Sequence, residues 1–198
     1  MIKRKPVLFF LLKAFLVFSL FALPLKIYND AYSKMYRSIS NSIFGKFHGT
    51  GFSQFLVTDV PFKVFIHVGN TQLKGQDGSY KTATSRVNIR YRGFLPTILF
   101  LSLLIATPIP IKRKIVSALI GFSLLTIMVL FIQWIHLLYM CQENKWLGLS
   151  EFSPGTERKI EFLYAHMANY NGTTMMFVVV IWLLTSFRKE DLNKLMAQ

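Results

Sequence analysis

The side chains best suited to chemistry in this 198-residue chain are four histidines, one cysteine and the carboxylate pair Glu157 and Glu161. Histidine titrates near neutrality and ligates metals, a cysteine thiolate attacks electrophiles, and paired carboxylates serve as acid and base. The spacing here assembles none of these sites. His48, His67, His136 and His166 lie far apart and lack metal-ligand spacing, so they read as structural. Cys141 has His136 five residues before it, about 500° around a helix at about 100° per residue, so the imidazole points elsewhere. A single cysteine also cannot form an intrachain disulfide. Glu157 and Glu161 stand one helical turn apart beside Arg158 and Lys159, which reads as a solvated face. There is no Gly-rich phosphate loop, H-E-x-x-H, C-x-x-C or G-x-S-x-G. The expectation is a chain that is not an enzyme and uses no metal or cofactor. The opposing reading is a small membrane enzyme built on Cys141 or His166.

A different constellation is more suggestive. Arg86, Arg90 and Arg92 fall on one side of an expected strand, Thr82–Tyr91, whose other side carries Val87, Ile89 and Tyr91. Such a basic comb contacts lipid phosphates or solvent, or docks an acidic partner surface. It is the candidate interaction face.

The elements that must carry these residues follow from composition. Of the chain, 53% is apolar and only 16% charged, yet the net charge is +14. Disorder is excluded by that hydrophobicity. Ordinary soluble domains carry about 25% charged residues. A bilayer span needs about 20 mostly apolar residues. Four segments approach this: Val7–Leu25, Phe94–Ile111, Ile115–Met140 and Thr173–Phe187, the last starting earlier, within Phe162–Tyr170. Lys3, Arg4 and Lys5 before the first run resemble a signal peptide, but no A-x-A-like site follows, and the run reads as an uncleaved anchor. Lys13 either snorkels from it toward the interface or pairs with a partner. Every Asp and Glu lies outside the four segments, which argues against a proton-coupled transporter acting alone.

Charge density sets the expected orientation. Residues 1–6, 112–114 and 188–198 hold nine Lys/Arg in 20 positions, whereas 26–93 and 141–172 hold 13 in 100. The positive-inside rule puts both termini and the Lys112–Lys114 turn in the cytoplasm. Half of the net charge is then an orientation signal, and nucleic acid is not expected as a partner.

The expected organisation is 1–25 as N-terminus and first span, 26–93 as an outer domain, and 94–140 as spans two and three. A second outer loop, 141–172, leads to the fourth span and a cytoplasmic tail, 173–198. Within the outer domain, Ala31, Met35, Ile39 and Ile43 recur as an apolar stripe beside Tyr28, Tyr32 and Tyr36. This predicts an amphipathic helix after a bend near Pro24. From Gly49 the period becomes two. Phe52–Thr58, Phe62–Val68 and Thr82–Tyr91 read as strands of a small antiparallel sheet, with turns at Gly69-Asn70 and Gln76–Ser79. Ser153-Pro154 reads as a helix N-cap and first position. The fold class expected is therefore a mainly α membrane protein: four transmembrane helices and a small antiparallel β-sheet domain between the first two.

At Tyr91-Arg92-Gly93-Phe94-Leu95-Pro96, followed by Thr97–Thr107 and Pro108, the chain resembles the exosortase H-associated membrane proteins. Those show a tyrosine, a glycine and a proline entering an apolar run that ends Ala-Thr-Pro. Tyr164–Asn171 before a final apolar helix with Trp182 is similar too. The resemblance covers the whole chain in layout and about thirty residues in motif. It implies a bacterial inner-membrane accessory to an exosortase, the membrane transpeptidase that processes proteins with a C-terminal sorting signal. The Cys, Arg and His set of that enzyme is not present here. The expectation is a non-catalytic accessory or scaffold whose partners are the lipid bilayer and integral membrane proteins. The alternative is a structural subunit of a larger secretion or energy-transducing complex.

Overall fold

The computed structural model describes residues 6–23, 26–47, 49–76, 78–149 and 151–187. Lys3, Arg4, Lys5, His48, Arg188, Lys189, Lys194 and the expected bend at Pro24 lie outside them. The described chain is mainly helical with one small sheet. Its elements are α1 (Pro6–Phe21), α2 (Lys26–Phe44), β1 (Gly51–Val57), β2 (Lys63–Lys74), β3 (Tyr80–Asn88), α3 (Leu95–Ala106), α4 (Ile111–Glu143), α5 (Pro154–Leu163) and α6 (Asn171–Ser186). Two compact units form. One comprises the described parts of Met1–Leu23, Gly93–Met128 and Gly172–Gln198; the other comprises those of Pro24–Arg92 and Val129–Asn171.

The first unit is helical. Phe100 and Leu104 of α3, Leu125 of α4, and Val178 and Trp182 of α6 form its core, with Phe10 of α1 packed against it. The Phe10 and Trp182 rings stack at 5.7 Å. A Cβ added at Gly121 of α4 would overlap the Phe100 ring, so the missing side chain is what lets the ring seat there. Two buried polar contacts tie its helices and the turn after α3 together. Trp182 Nε1 donates to Thr107 Oγ1 at 2.9 Å, and Ser117 Oγ donates to the Thr185 carbonyl at 2.7 Å. Elsewhere the surface is apolar: Phe9, Phe15, Leu119, Met176 and Leu184 are all largely exposed.

Helix lengths differ from the expectation of four spans. α3 has 12 residues, about 18 Å, because Thr107 is extended before Pro108 and the chain restarts only after Pro110. α1 and α6 have 16 residues each, about 24 Å. α5 does not run on into α6; a π-helical turn, Tyr164–Asn169, ends with Tyr170 extended. α4, with 33 residues, is the one helix among the described residues that alone is long and apolar enough to cross a membrane.

The second unit contains the sheet, in order β1-β2-β3, both pairs antiparallel. Phe55, Val64, Ile66, Val68, Ala83 and Val87 form the buried face. Gln54, Leu56, Phe65, Thr84 and Arg86 form the exposed one, with His67 partly exposed beside them. β2 runs straight through the expected turn at Gly69-Asn70. Gly69 pairs with Phe52 and with Thr82, and a Cβ there would lie 2.6 Å from the Phe52 ring. Glycine here serves close ring packing inside a strand. The irregularity falls later, between Gly69 and Lys74.

α2 packs on the sheet with a largely polar face. Asn29, Ser33, Tyr36, Ser40 and Phe44 are buried, whereas Met35, Ile39 and Ile43 of the apolar stripe are exposed, as is Ile27. The reason lies in the backbone groups of the sheet. The amide of Phe62 donates to Asn29 Oδ1, and Ser33 Oγ donates to the same oxygen at 3.2 Å. Asn41 bonds both backbone groups of Phe55 in the edge strand β1. A buried strand edge needs partners, and polar side chains of α2 supply them. Phe62 itself holds φ at 55°, a conformation that a bulky residue adopts only when its surroundings fix it. Its carbonyl accepts from the Ile89 amide at 2.8 Å.

Candidate functional site

The expected arginine comb does not form on one strand. β3 ends at Asn88, whose Oδ1 accepts from the Arg90 amide at 3.1 Å and turns the chain into helix. Arg90 and Arg92 therefore sit on a π-helical turn, Arg90–Phe94. Arg86 remains on the exposed sheet face, its guanidinium 5.9 Å from the centre of the Phe65 ring. Arg90 lies 5.9 Å from the Phe62 ring centre. The three arginines thus have three different surroundings.

Arg92 leads to the site that sequence spacing did not assemble. Its Nη1 lies 3.3 Å from His136 Nδ1. His136 is 2% exposed, and its Nε2 lies 3.0 Å from Ser85 Oγ. A guanidinium has donors only, so Nδ1 must accept. The imidazole is then the neutral tautomer with its proton on Nε2, donating to Ser85. Tyr164 packs 5.3 Å from the His136 ring and stacks on Tyr139 at 3.8 Å.

One turn earlier on α4, Gln133 is 3% exposed, and its Oε1 accepts from Ser40 Oγ at 3.1 Å. Ser40 also reaches the Tyr36 carbonyl at 2.6 Å. The Tyr36 ring meets Phe55 edge-on at 6.2 Å. Its hydroxyl is buried and makes no hydrogen bond among the described residues, although Arg92 and Gln133 are close enough to act on it. Burial pushes the Tyr36 phenol above its ordinary value; Arg92 and Gln133 pull it partly back.

The result is a polar cluster of Tyr36, Ser40, Ser85, Arg92, Gln133 and His136, inside the second unit. Gln133 and His136 were visible in the sequence as an i,i+3 polar pair on an otherwise apolar helix, which is the signal that could have found it. Tyr36, Ser40 and Ser85 carried no such signal, because their partners lie far away in the chain.

The other candidates separate. His67 Nδ1 meets Thr84 Oγ1 at 3.0 Å on the exposed sheet face. His166 Nδ1 meets the Phe162 carbonyl at 2.8 Å, and Cys141 is buried and outside any disulfide. Glu157 pairs with Lys145 at 2.6 Å, and Glu161 accepts from Gln142 Nε2 at 2.8 Å. These two acids tie α5 to the end of α4 and the turn after it. The Glu157 carboxylate also pushes the Lys145 ammonium upward. Ser153 caps α5 as expected, with Pro154 opening the helix. Among the described residues no three His, Cys, Asp or Glu side chains come together as a metal site.

Comparison with protein-family models, with curated proteins and with solved structures finds no match for this chain.

Proposed function

We propose that this chain is a multi-pass protein of the bacterial inner membrane, with both termini in the cytoplasm, acting as a non-catalytic accessory or scaffold. Four spans are reached if α1, α3 and α6 cross together with α4, their shortness being met by local thinning of the bilayer. The apolar surfaces of α1, α4 and α6 support this, since side chains such as Phe9, Leu119 and Leu184 are largely exposed. The exposed stripe of α2, from Ile27 to Ile43, suits a helix lying at the membrane surface.

The observation that carries the scaffold reading is the open face of the sheet. Leu56, Phe65 and Arg86 stand side by side on it through the register Leu56↔Phe65↔Arg86, and all three are exposed. An aromatic ring beneath a guanidinium, next to an aliphatic side chain, is an anchor of the kind protein interfaces use. The partner fitting it is an envelope membrane protein with an acidic patch. The resemblance at Tyr91–Pro96 makes an exosortase the first one to test.

The experiment is co-expression of the tagged chain with a candidate exosortase and recovery of both in mild detergent. Recovery from wild type, and its loss in Phe65→Glu and Arg86→Glu, supports the reading. Equal recovery from all three forms removes this face from it. Recovery in fixed ratio with many other subunits would favour a structural role in a larger complex.

A further inference from the structure

We propose that the outer edge of β3 docks an extended acidic segment of a partner protein, which adds to the sheet as a fourth strand. This edge is a different surface from the open face of the sheet, so the inference goes beyond the scaffold reading above. In an antiparallel ladder, opposed residues alternate between pairs that exchange backbone hydrogen bonds and pairs that do not. The Ile89 amide donates to the Phe62 carbonyl, so those two form a bonding pair. Counting back through the register, Val87, Ser85 and Ala83 bond β2, whereas the N–H and C=O groups of Arg86, Thr84 and Thr82 point away from it. At the other end of the sheet the Thr58 amide donates to the Lys63 carbonyl, so Phe55, Ser53 and Gly51 turn outward from β1. The two edges differ. On β1, Asn41 takes both groups of Phe55, the Ser53 amide donates to the Gly45 carbonyl, and the Gly51 carbonyl accepts from the Phe47 amide. On β3, the outward groups of Arg86, Thr84 and Thr82 have no partner among the described residues. Thr84 and Arg86 are exposed, and Thr82 is half-buried. Besides β2, the element close to β3 is the short turn Lys145–Leu147, which lies at the buried face, where the Leu147 carbonyl accepts from the Asn70 side-chain amide. An open edge of this kind is a template for another strand.

Charge selects the occupant. From Thr82 to Asn88 the strand has no proline and no bulge to blunt its edge. What guards it is charge: β3 carries Lys81 and Arg86, Arg90 follows, and no Asp or Glu occurs from Gly78 to Gln142. Lys81 and Arg86 make no ion pair among the described residues. Two copies of the chain joined edge to edge would gather two Lys81 and two Arg86 in one ribbon without an acid, and like charges across strands destabilise it. A segment of another protein with Asp or Glu at alternate positions meets the edge with opposite charge. Its residues that bond Thr84 and Arg86 present their side chains on the same face as those two, so a carboxylate there reaches the Arg86 guanidinium. The intervening side chains fall on the side of Ala83 and Val87, which are buried, and apolar residues suit that side.

The test uses the full chain in maltoside detergent and a fluorescein-labelled octapeptide of alternating Glu and Val, followed by fluorescence anisotropy. Two control peptides are titrated in parallel. One has Lys for each Glu; the other is N-methylated at each Glu nitrogen, which keeps the charge but removes the donors that face the edge. The expected result is saturable binding of the Glu peptide, weakened about tenfold by N-methylation and lost with Lys. Thr84→Pro is expected to weaken binding about tenfold with an unfolding midpoint near that of wild type, because an edge strand tolerates proline where its N–H points outward. Thr84→Val keeps that N–H and is expected to bind as wild type does. Arg86→Glu carries the test if Thr84→Pro does not fold: it loses the Glu peptide and gains the Lys peptide. Equal binding of the N-methylated or the Lys peptide, equal binding by folded Thr84→Pro, an equal loss in Thr84→Val, or no binding at all overturns the proposal. Sedimentation is run alongside: a wild-type dimer that Thr84→Pro dissociates assigns the edge to a second copy and overturns it as well. None of these measurements involves an exosortase, so failure here leaves the scaffold reading standing, and failure of that reading leaves this edge.

Discussion

Asn41 holds both backbone groups of Phe55: its Nδ2 donates to the Phe55 carbonyl at 3.1 Å, and its Oδ1 accepts from the Phe55 amide at 2.8 Å. One side chain of α2 thus does for the free edge of β1 what a neighbouring strand would do. Phe55 is fully buried, so neither group has water as a substitute. Asn41→Leu is expected to destabilise the second unit by about 2–4 kcal/mol, since two buried polar groups lose their partners. Asn41→Asp, which keeps the acceptor, should cost less. Chemical denaturation in detergent measures both; equal stability of wild type and Asn41→Leu would refute the bridging role.

In the first unit the contact of Gly121 with Phe100 makes a prediction of sign. In a helix, alanine is ordinarily favoured over glycine by about 1 kcal/mol. Here the added methyl overlaps the Phe100 ring, and overpacking costs about 1–3 kcal/mol. Gly121→Ala should therefore destabilise. Adding Phe100→Leu should recover part of the loss, as neighbouring sites couple. A gain in thermal stability from Gly121→Ala alone would show that the ring is not seated there.

Trp182 and Thr107 form a buried pair at 2.9 Å. Thr107→Val keeps the shape but strands the indole N–H, so a loss of about 1–3 kcal/mol is expected. Trp182→Phe in the Thr107→Val background should cost less than the sum of the separate changes, because no donor is then left unpaired. A double-mutant cycle of unfolding midpoints decides this, and strict additivity would mean that the two groups do not interact.

The buried Tyr36 phenol predicts an alkaline limit. Its pKa in the folded protein is raised by burial, so the unfolded chain loses this proton first as pH rises. The stability it contributes is whole below about pH 10, where free tyrosine titrates, and is lost as pH climbs through the raised value. Wild type should show a falling midpoint above about pH 10, and Tyr36→Phe a shallower fall. Identical alkaline profiles would contradict the burial of an ionisable phenol at this position.

Much of the local structure was legible in the sequence. The uncharged run Ile115–Met140 became the core of α4, Ser153 caps α5, and the alternation of Val64, Ile66 and Val68 built the buried face of β2. Each of these is a short-range pattern: an apolar run, a cap, a period of two. The proposed membrane orientation is also a property of the sequence alone, because it comes from charge density in the loops.

Tertiary structure decided which face of α2 turns inward. The sequence left open which side of this helix meets the domain that follows; Asn29, Ser40 and Asn41 turn inward because they bond Phe62, Gln133 and Phe55, and Ser33 bonds Asn29. It also ended β3 at Asn88, which moved Arg92 off the sheet and against His136. Ser40 and Gln133 are 93 positions apart, and Asn70 reaches the Leu147 carbonyl across 77. Hydrophobic periodicity reports which residues avoid water, but it is silent on which polar groups need each other once water is gone. That pairing depends on how distant segments pack, and it is what created the cluster around Arg92.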